Sequence, residues 1–342
     1  MQKNGHFSST HHRLLRGVSR SFYLSIRLLP GALQGPMTVG YLMARATDTV
    51  ADTTALPQAE RLQLLRALMT AIDSPHADLG HCKQALASFA DHQSDPSEQA
   101  LMLALPECLH LLHALSPADQ ASVRWVLGHI TQGQMLDVER FGQGPAALAT
   151  ELALDDYTWL VAGCVGEFWT EICERHMPGF ATQSTEAMRL AGRAYGMGLQ
   201  RLNILRDAGA DLLAGRCYLP ESRLGPLGLS AERLMWATRT GDAATLQQLS
   251  PLWNDCLQLT RTQLSEGLRY SQCLRHRRLR LASALPALIG ARTLALLRQV
   301  GPLSLTQRVK MPRREMRGLL WRVVWQLASP EALAHEFRSL SR

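Results

Sequence analysis

The chain's seven cysteines form no CxxC pair, and their number is odd. This argues against a disulfide framework or a zinc site and fits reduced thiols that fill a core. Aromatic residues make up only 6% of the 342 residues, and β-branched runs are scarce, so no extended sheet is expected. No stretch of about 18 apolar residues is free of a charge or a breaker, so no membrane span is convincing. The nearest candidate, "LASALPALIGARTLALL" at 281–297, contains Pro286 and Arg292 and reads as a buried, kinked helix. The opening "MQKNGHFSSTHHRLLRG" has no apolar segment of the kind a secretory signal needs. A cytoplasmic location is therefore expected, with peripheral contact at the inner membrane face a further candidate. Other signatures are missing too. There is no Walker loop or nucleophile elbow. Gly196-Met197-Gly198 lacks both the third glycine and the preceding strand of a dinucleotide fingerprint. His11, His12 and His176 show no metal-ligand spacing.

Strong helix formers are abundant. Leu, Ala, Arg and Gln favour helix, and the periodicity predicts an all-α chain. Helices are expected over 13–27, 36–52, 58–73, 97–115, 118–141, 156–176, 185–212, 241–275, 281–299 and 313–327. Breaks such as "HQSDPSE" at 92–98 and "ESRLGPLGLS" at 221–230 carry turn chemistry, and none is long enough for an inter-domain linker. A single domain over 1–342 is expected, with 1–12 a flexible tail. The formal net charge of +7 suits anionic partners. "RHRRLR" at 275–280 has no interleaved aromatics and reads as a solvated helix end rather than a nucleic-acid contact.

The chemistry starts at "YLMARATDTVADT", residues 41–53. Asp48 and Asp52 lie four residues apart, one turn above the other on one helix face, with Arg45 and Tyr41 spaced up the same side. Like charges so placed repel, and an apolar setting raises that cost. "NILRDAGAD" at 203–211 repeats the spacing with Asp207 and Asp211, Asn203 one turn earlier and Gln200 near the same face. A single DxxxD is ordinarily a solvated helix face. Two of them, both inside apolar runs and both near arginines, suit hard divalent cations that also take substrate phosphate oxygens. Arg45, Arg206 and Arg216 could hold such oxygens directly. A di-iron centre is disfavoured because these helices carry no Glu-x-x-His pair.

The order of segments then resembles the squalene/phytoene synthase family of head-to-head prenyl transferases. It runs "SRSF" at 19–22, "YLMARATDTVAD" at 41–52, "GQMLD" at 133–137, "YTWLVAGCVG" at 157–166, "MGLQRLNILRDAGAD" at 197–211 and "GRCYLP" at 215–220. The resemblance implies an all-α isoprenoid synthase fold whose two acidic helices face one another across a deep apolar cavity. It also implies two allylic isoprenoid diphosphates as substrates, with Mg²⁺ and, in reductive members, NADPH. By the same resemblance Asp48, Asp52, Asn203, Asp207 and Asp211 hold metal, with Gln200 helping at the second pair. Ser19, Arg20, Ser21, Tyr41, Arg45 and Arg216 contact diphosphate, and Phe22 lines the hydrocarbon pocket. Tyr157 matches a family tyrosine near the reacting carbons, and Asp137 matches an acidic position on a middle helix. The basic stretch "RVKMPRRE" at 308–315 resembles a segment that helps bind NADPH phosphate in reductive members, which implies Lys310, Arg313 and Arg314 as cofactor candidates.

"VAGCVG" is closest in look to squalene synthases, which implies reduction to squalene. The alternatives are a non-reductive phytoene or dehydrosqualene synthase, a terpene cyclase of the same broad fold, and a non-catalytic assembly factor. The ordered "SRSF" and "GRCYLP" segments argue against the cyclase, and retention of all four aspartates argues against the assembly factor.

Overall fold

Ser or Asp followed by Pro starts three of the described helices. In a computed structural model, which describes residues 9–18, 20–74, 86–141, 144–325 and 329–341, Asp95 accepts hydrogen bonds from the backbone of Ser97 and Glu98, with Pro96 as the first helical residue. Ser116 before Pro117 and Ser329 before Pro330 cap their helices in the same way. The result is 81% helix and 3% strand. One compact unit falls within 1–142 and 171–178, and the other within 143–170 and 179–342.

In the first unit the helix Gly31–Asp52 packs against Gln58–Asp73, Pro96–His113 and Pro117–Arg140. Leu33, Met37, Leu42, Met43, Ala46 and Val50 form its buried face. It starts five residues earlier than the expected 36, because Pro30 rather than Pro36 stands at its N-cap and Pro36 is accommodated inside it. Side chains tie the helices to one another's backbone. Gln58 Nε2 donates to Val138 O at 2.9 Å, and Arg124 Nε donates to Ile72 O at 2.9 Å. At the start of Pro117–Arg140 the buried Asp119 accepts from Arg175 Nη1 and His176 Nε2, both at 2.9 Å, and from Ser116 Oγ at 2.8 Å.

The second unit is built on the helix Thr185–Leu213, which packs on Ser250–Cys273 and on a π-helical turn, Trp159–Gly163. Glycines make the latter contact possible. A Cβ at Gly166 would lie 1.9 Å from the carbonyl oxygen of Gly192, and one at Gly196 would lie 2.1 Å from that of Ala162. The Gly196-Met197-Gly198 segment is thus a packing surface, with Gly198 seated against Gln263. Arg277–Val300 runs through Pro286. Among the described residues, Arg277–Leu305 is the one helical stretch long and apolar enough to cross a membrane, and 72% of its apolar window is buried in protein.

Several elements escaped the sequence reading. Ala231–Thr240 and Pro330–Leu340 are helical, and the expected helix 241–275 is divided into Ala243–Gln248 and Ser250–Cys273, with Pro251 opening the second. Two short parallel strands, Ala146–Leu148 and Arg216–Pro220, pair with Ala146 opposite Arg216 and Ala147 opposite Cys217, followed by a bulge.

Candidate functional site

On Gly31–Asp52, Arg45 lies between two carboxylates. Its Nη1 is 2.6 Å from Asp48 Oδ2, and its Nη2 pairs with Glu98 Oε1 in the first turn of Pro96–His113. Asp52 is exposed and Tyr41 half-buried. Burial, reinforced by the charge of Asp52, pushes the Asp48 carboxyl up to about 6 despite Arg45. The side chain still keeps 41% of its surface open, so this crowded carboxylate remains within reach of solvent and of a cation. Glu98 was not anticipated. The capped "DPSE" turn announces a helix start but gives no hint of its partner.

On Thr185–Leu213, Gln200, Asn203, Asp207 and Asp211 fall within about 80° of the helix circumference. Arg206 Nε donates to Asp207 Oδ1 at 3.1 Å, and Arg216 Nη2 donates to Asp211 Oδ1 at 2.6 Å. Asn203 Nδ2 lies 3.5 Å from Gln200 Oε1. All three phosphate-candidate arginines therefore stand on the carboxylates expected to hold metal. Arg216 comes from the strand Arg216–Pro220, which presents Arg216 and Tyr218 half-buried on one face and buries Cys217 and Leu219 on the other.

Tyr157, near the end of Glu151–Thr158, is buried against Leu148, Leu154 and Ile204. Its ring stacks on Tyr218 with centroids 5.1 Å apart. Three contacts hold this region in place. The buried Arg201 pairs with Asp155, and Trp159 Nε1 donates to Glu167 Oε1 at 2.9 Å while Arg193 lies over the indole. Nothing in "GRCYLP" marks Tyr218 for the site, because its neighbour in space is 61 residues away in the chain.

Of the remaining candidates, Ser19 lies outside the described residues. Arg20, Ser21 and Phe22 belong to the helix Arg20–Leu28, with side chains outside the description. Lys310, Arg313 and Arg314 are exposed around the start of Arg313–Trp325, and Asp137 is half-buried on Pro117–Arg140. Cys108, Cys164, Cys173 and Cys217 are buried free thiols, and burial raises the pKa of each.

The donors fit magnesium in kind. Both pairs offer oxygen alone, and Asp48 shares the one guanidinium of Arg45 with Glu98. Among the described residues no three His, Cys, Asp or Glu side chains form a metal-binding group. Each pair would therefore depend on water and substrate oxygens to complete a coordination shell.

A family model described as squalene/phytoene synthase matches residues 15–315. The chain belongs to the squalene/phytoene synthase family. It is 28% identical over 243 residues to a bifunctional lycopene cyclase/phytoene synthase of Arthroderma gypseum, covering 69% of this chain and 38% of that protein. It is 28% identical over 210 residues to squalene synthase ERG9 of Saccharomyces cerevisiae, covering 61% and 44%. The chain thus spans less than half the length of these curated relatives. A solved structure of TcSQS with the ligand BPH1237 aligns with a TM-score of 0.74 at 19% identity, over 96% of this chain and 89% of that one. The fold is that of the all-α isoprenoid synthases, as expected.

Proposed function

We propose that this family member condenses two farnesyl diphosphates head to head through presqualene diphosphate and reduces the product to squalene with NADPH. The observation that carries the reading is the pair of acidic helices, each with an arginine on its carboxylates. Magnesium, when bound, supplies the positive charge that makes diphosphate a leaving group. The chain's own residues do the rest. Asp48 and Asp52 would hold one metal–diphosphate head, and Asp207 and Asp211 would hold the other with Asn203 and Gln200. Arg45, Arg206 and Arg216, which stand on these carboxylates, would take diphosphate oxygens, a bidentate task suited to guanidinium. Ser19, Arg20, Ser21 and Tyr41 add contacts at the diphosphate, and Phe22 packs on hydrocarbon. The stacked rings of Tyr157 and Tyr218 offer π-faces suited to an allylic cation, and apolar walls keep out water that would quench it. Lys310, Arg313 and Arg314 are candidates for the dinucleotide phosphate; being exposed, they are open to a soluble cofactor.

A second reading is favoured by the likeness to the Arthroderma protein, whose name includes phytoene synthase. Here the final cation loses a proton and no reductant is used, giving phytoene or dehydrosqualene. Incubation with labelled farnesyl or geranylgeranyl diphosphate and Mg²⁺, with and without NADPH, separates the two. Squalene formed from farnesyl diphosphate only with NADPH is expected. Phytoene or dehydrosqualene as the sole product, with or without NADPH, would establish the second reading instead.

A further inference from the structure

The helices Ser250–Cys273, Arg277–Val300 and Pro330–Leu340 of the second unit border a groove of about 200 Å³. Its floor is apolar and closed, with Leu257, Leu264, Leu294 and Phe337 all buried along it. Its rim carries two cations, Arg261 and Arg298, and two amides, Asn254 and Gln258, all exposed. No carboxylate lines it. Asp255, Glu266 and Glu336, on the same helices, pair instead with Arg223, Arg269 and Arg322. Arg298 Nη2 donates to Ser341 O at 3.4 Å, and Arg261 makes no ion pair among the described residues. The groove is separate from the acidic stripe of Thr185–Leu213. Ser250–Cys273 meets that helix with its other side, where Gln263 abuts Gly198 and Gly267 lies against the ring of Tyr195. Asn254, Gln258 and Arg261 stand roughly 140–180° round the helix from Gln263.

We infer that this groove binds a short-chain organic anion, its hydrocarbon tail on the leucine floor and its phosphate or carboxylate head on Arg261 and Arg298. Guanidinium matches either head with paired N–H donors. A neutral chain would leave both cations unused, and a bare inorganic anion would leave the apolar floor uncovered. Size limits the tail. Benzene fills a cavity of about 150 Å³ and drug-sized ligands need roughly 300–1,000 Å³, so the groove takes a chain of about eight carbons or fewer. A farnesyl chain is too long for it. The inference goes beyond the synthase reading and does not depend on it.

The test is isothermal titration calorimetry of the full chain, without magnesium, with n-octyl phosphate and with octanoate. One saturable site is expected, and the tighter of the two identifies the head. n-Butyl phosphate should bind about ten-fold more weakly than n-octyl phosphate, because less chain is buried. 1-Octanol and inorganic phosphate, each lacking one half of the ligand, should also bind about ten-fold more weakly or not at all. Arg261→Gln with Arg298→Gln should weaken the anion by about ten-fold at an unchanged thermal unfolding midpoint. Arg269→Gln with Arg278→Gln removes the same charge from exposed positions outside the groove and should leave affinity within about two-fold. If the first pair fails to fold, Arg261→Gln alone should weaken binding by about three-fold. No saturable binding, equal binding of octanol or of inorganic phosphate, equal loss in the two arginine pairs, or displacement by farnesyl diphosphate with Mg²⁺ would each overturn the proposal.

Discussion

Tyr157 and Tyr218 stack with ring centroids 5.1 Å apart and planes inclined by 22°. The contact joins the helix before the π-turn to the strand that also carries Arg216, whose guanidinium rests on Asp211. One short strand thereby serves both an aromatic wall and an acidic pair. Tyr218→Phe should keep the stack and near-normal turnover if the proposed role of the π-face holds. Tyr218→Leu should lose about 1 kcal/mol of pair stabilisation and about ten-fold in kcat. Steady-state kinetics beside thermal unfolding check this, and a leucine variant with unchanged kcat would remove Tyr218 from the site.

Glycine packing gives a second prediction, opposite in sign to helix propensity. An exposed helical Gly→Ala change ordinarily stabilises by up to about 1 kcal/mol. Gly128→Ala should do so, because nothing lies within 4 Å of its added Cβ. Gly166→Ala should instead cost about 3 kcal/mol or more, since its Cβ would overlap the Gly192 backbone where the helix that follows the π-turn meets the second acidic helix. Urea midpoints of both variants test this, and shifts of the same sign would contradict the close approach.

Asp119 sets a pH dependence. Burial alone would raise its pKa, but hydrogen bonds from His176, Ser116 and Arg175 outweigh burial and hold the carboxyl below the usual range. A lowered folded-state pKa contributes stability above the unfolded value of about 3.9, and that contribution is lost as pH falls through the folded value. Asp119→Asn should therefore cost about 2–3 kcal/mol at neutral pH, with the gap to the parent closing in acid. Denaturant titrations across that range measure it, and a gap independent of pH would contradict the assignment.

The legible part of the molecule was local. Aspartates four apart, arginines beside them and the periodicity of their helices all act within a turn or two of chain, so both acidic stripes could be read from spacing. The span of Thr185–Leu213 was nearly complete in the expected 185–212 because its polar stripe and Ser184 cap lie in one continuous segment. What stayed hidden depends on partners far along the chain. Glu98 meets Arg45 across 53 residues, Tyr218 meets Tyr157 across 61, and the strands are too short to display alternation. Ala231–Thr240 was lost in a stretch rich in Gly and Pro, although Ser230 offers the cap that starts it.

The most direct test is magnesium-dependent diphosphate release from farnesyl diphosphate by the parent chain, Asp48→Asn and Asp207→Asn, with unfolding midpoints measured alongside. The parent should release diphosphate only with the cation present. Either variant should lose about 10³-fold or more in rate while unfolding at nearly the parental midpoint. Release without magnesium, or near-parental rates in either variant, would contradict the claim that the two acidic helices hold the metal–diphosphate heads.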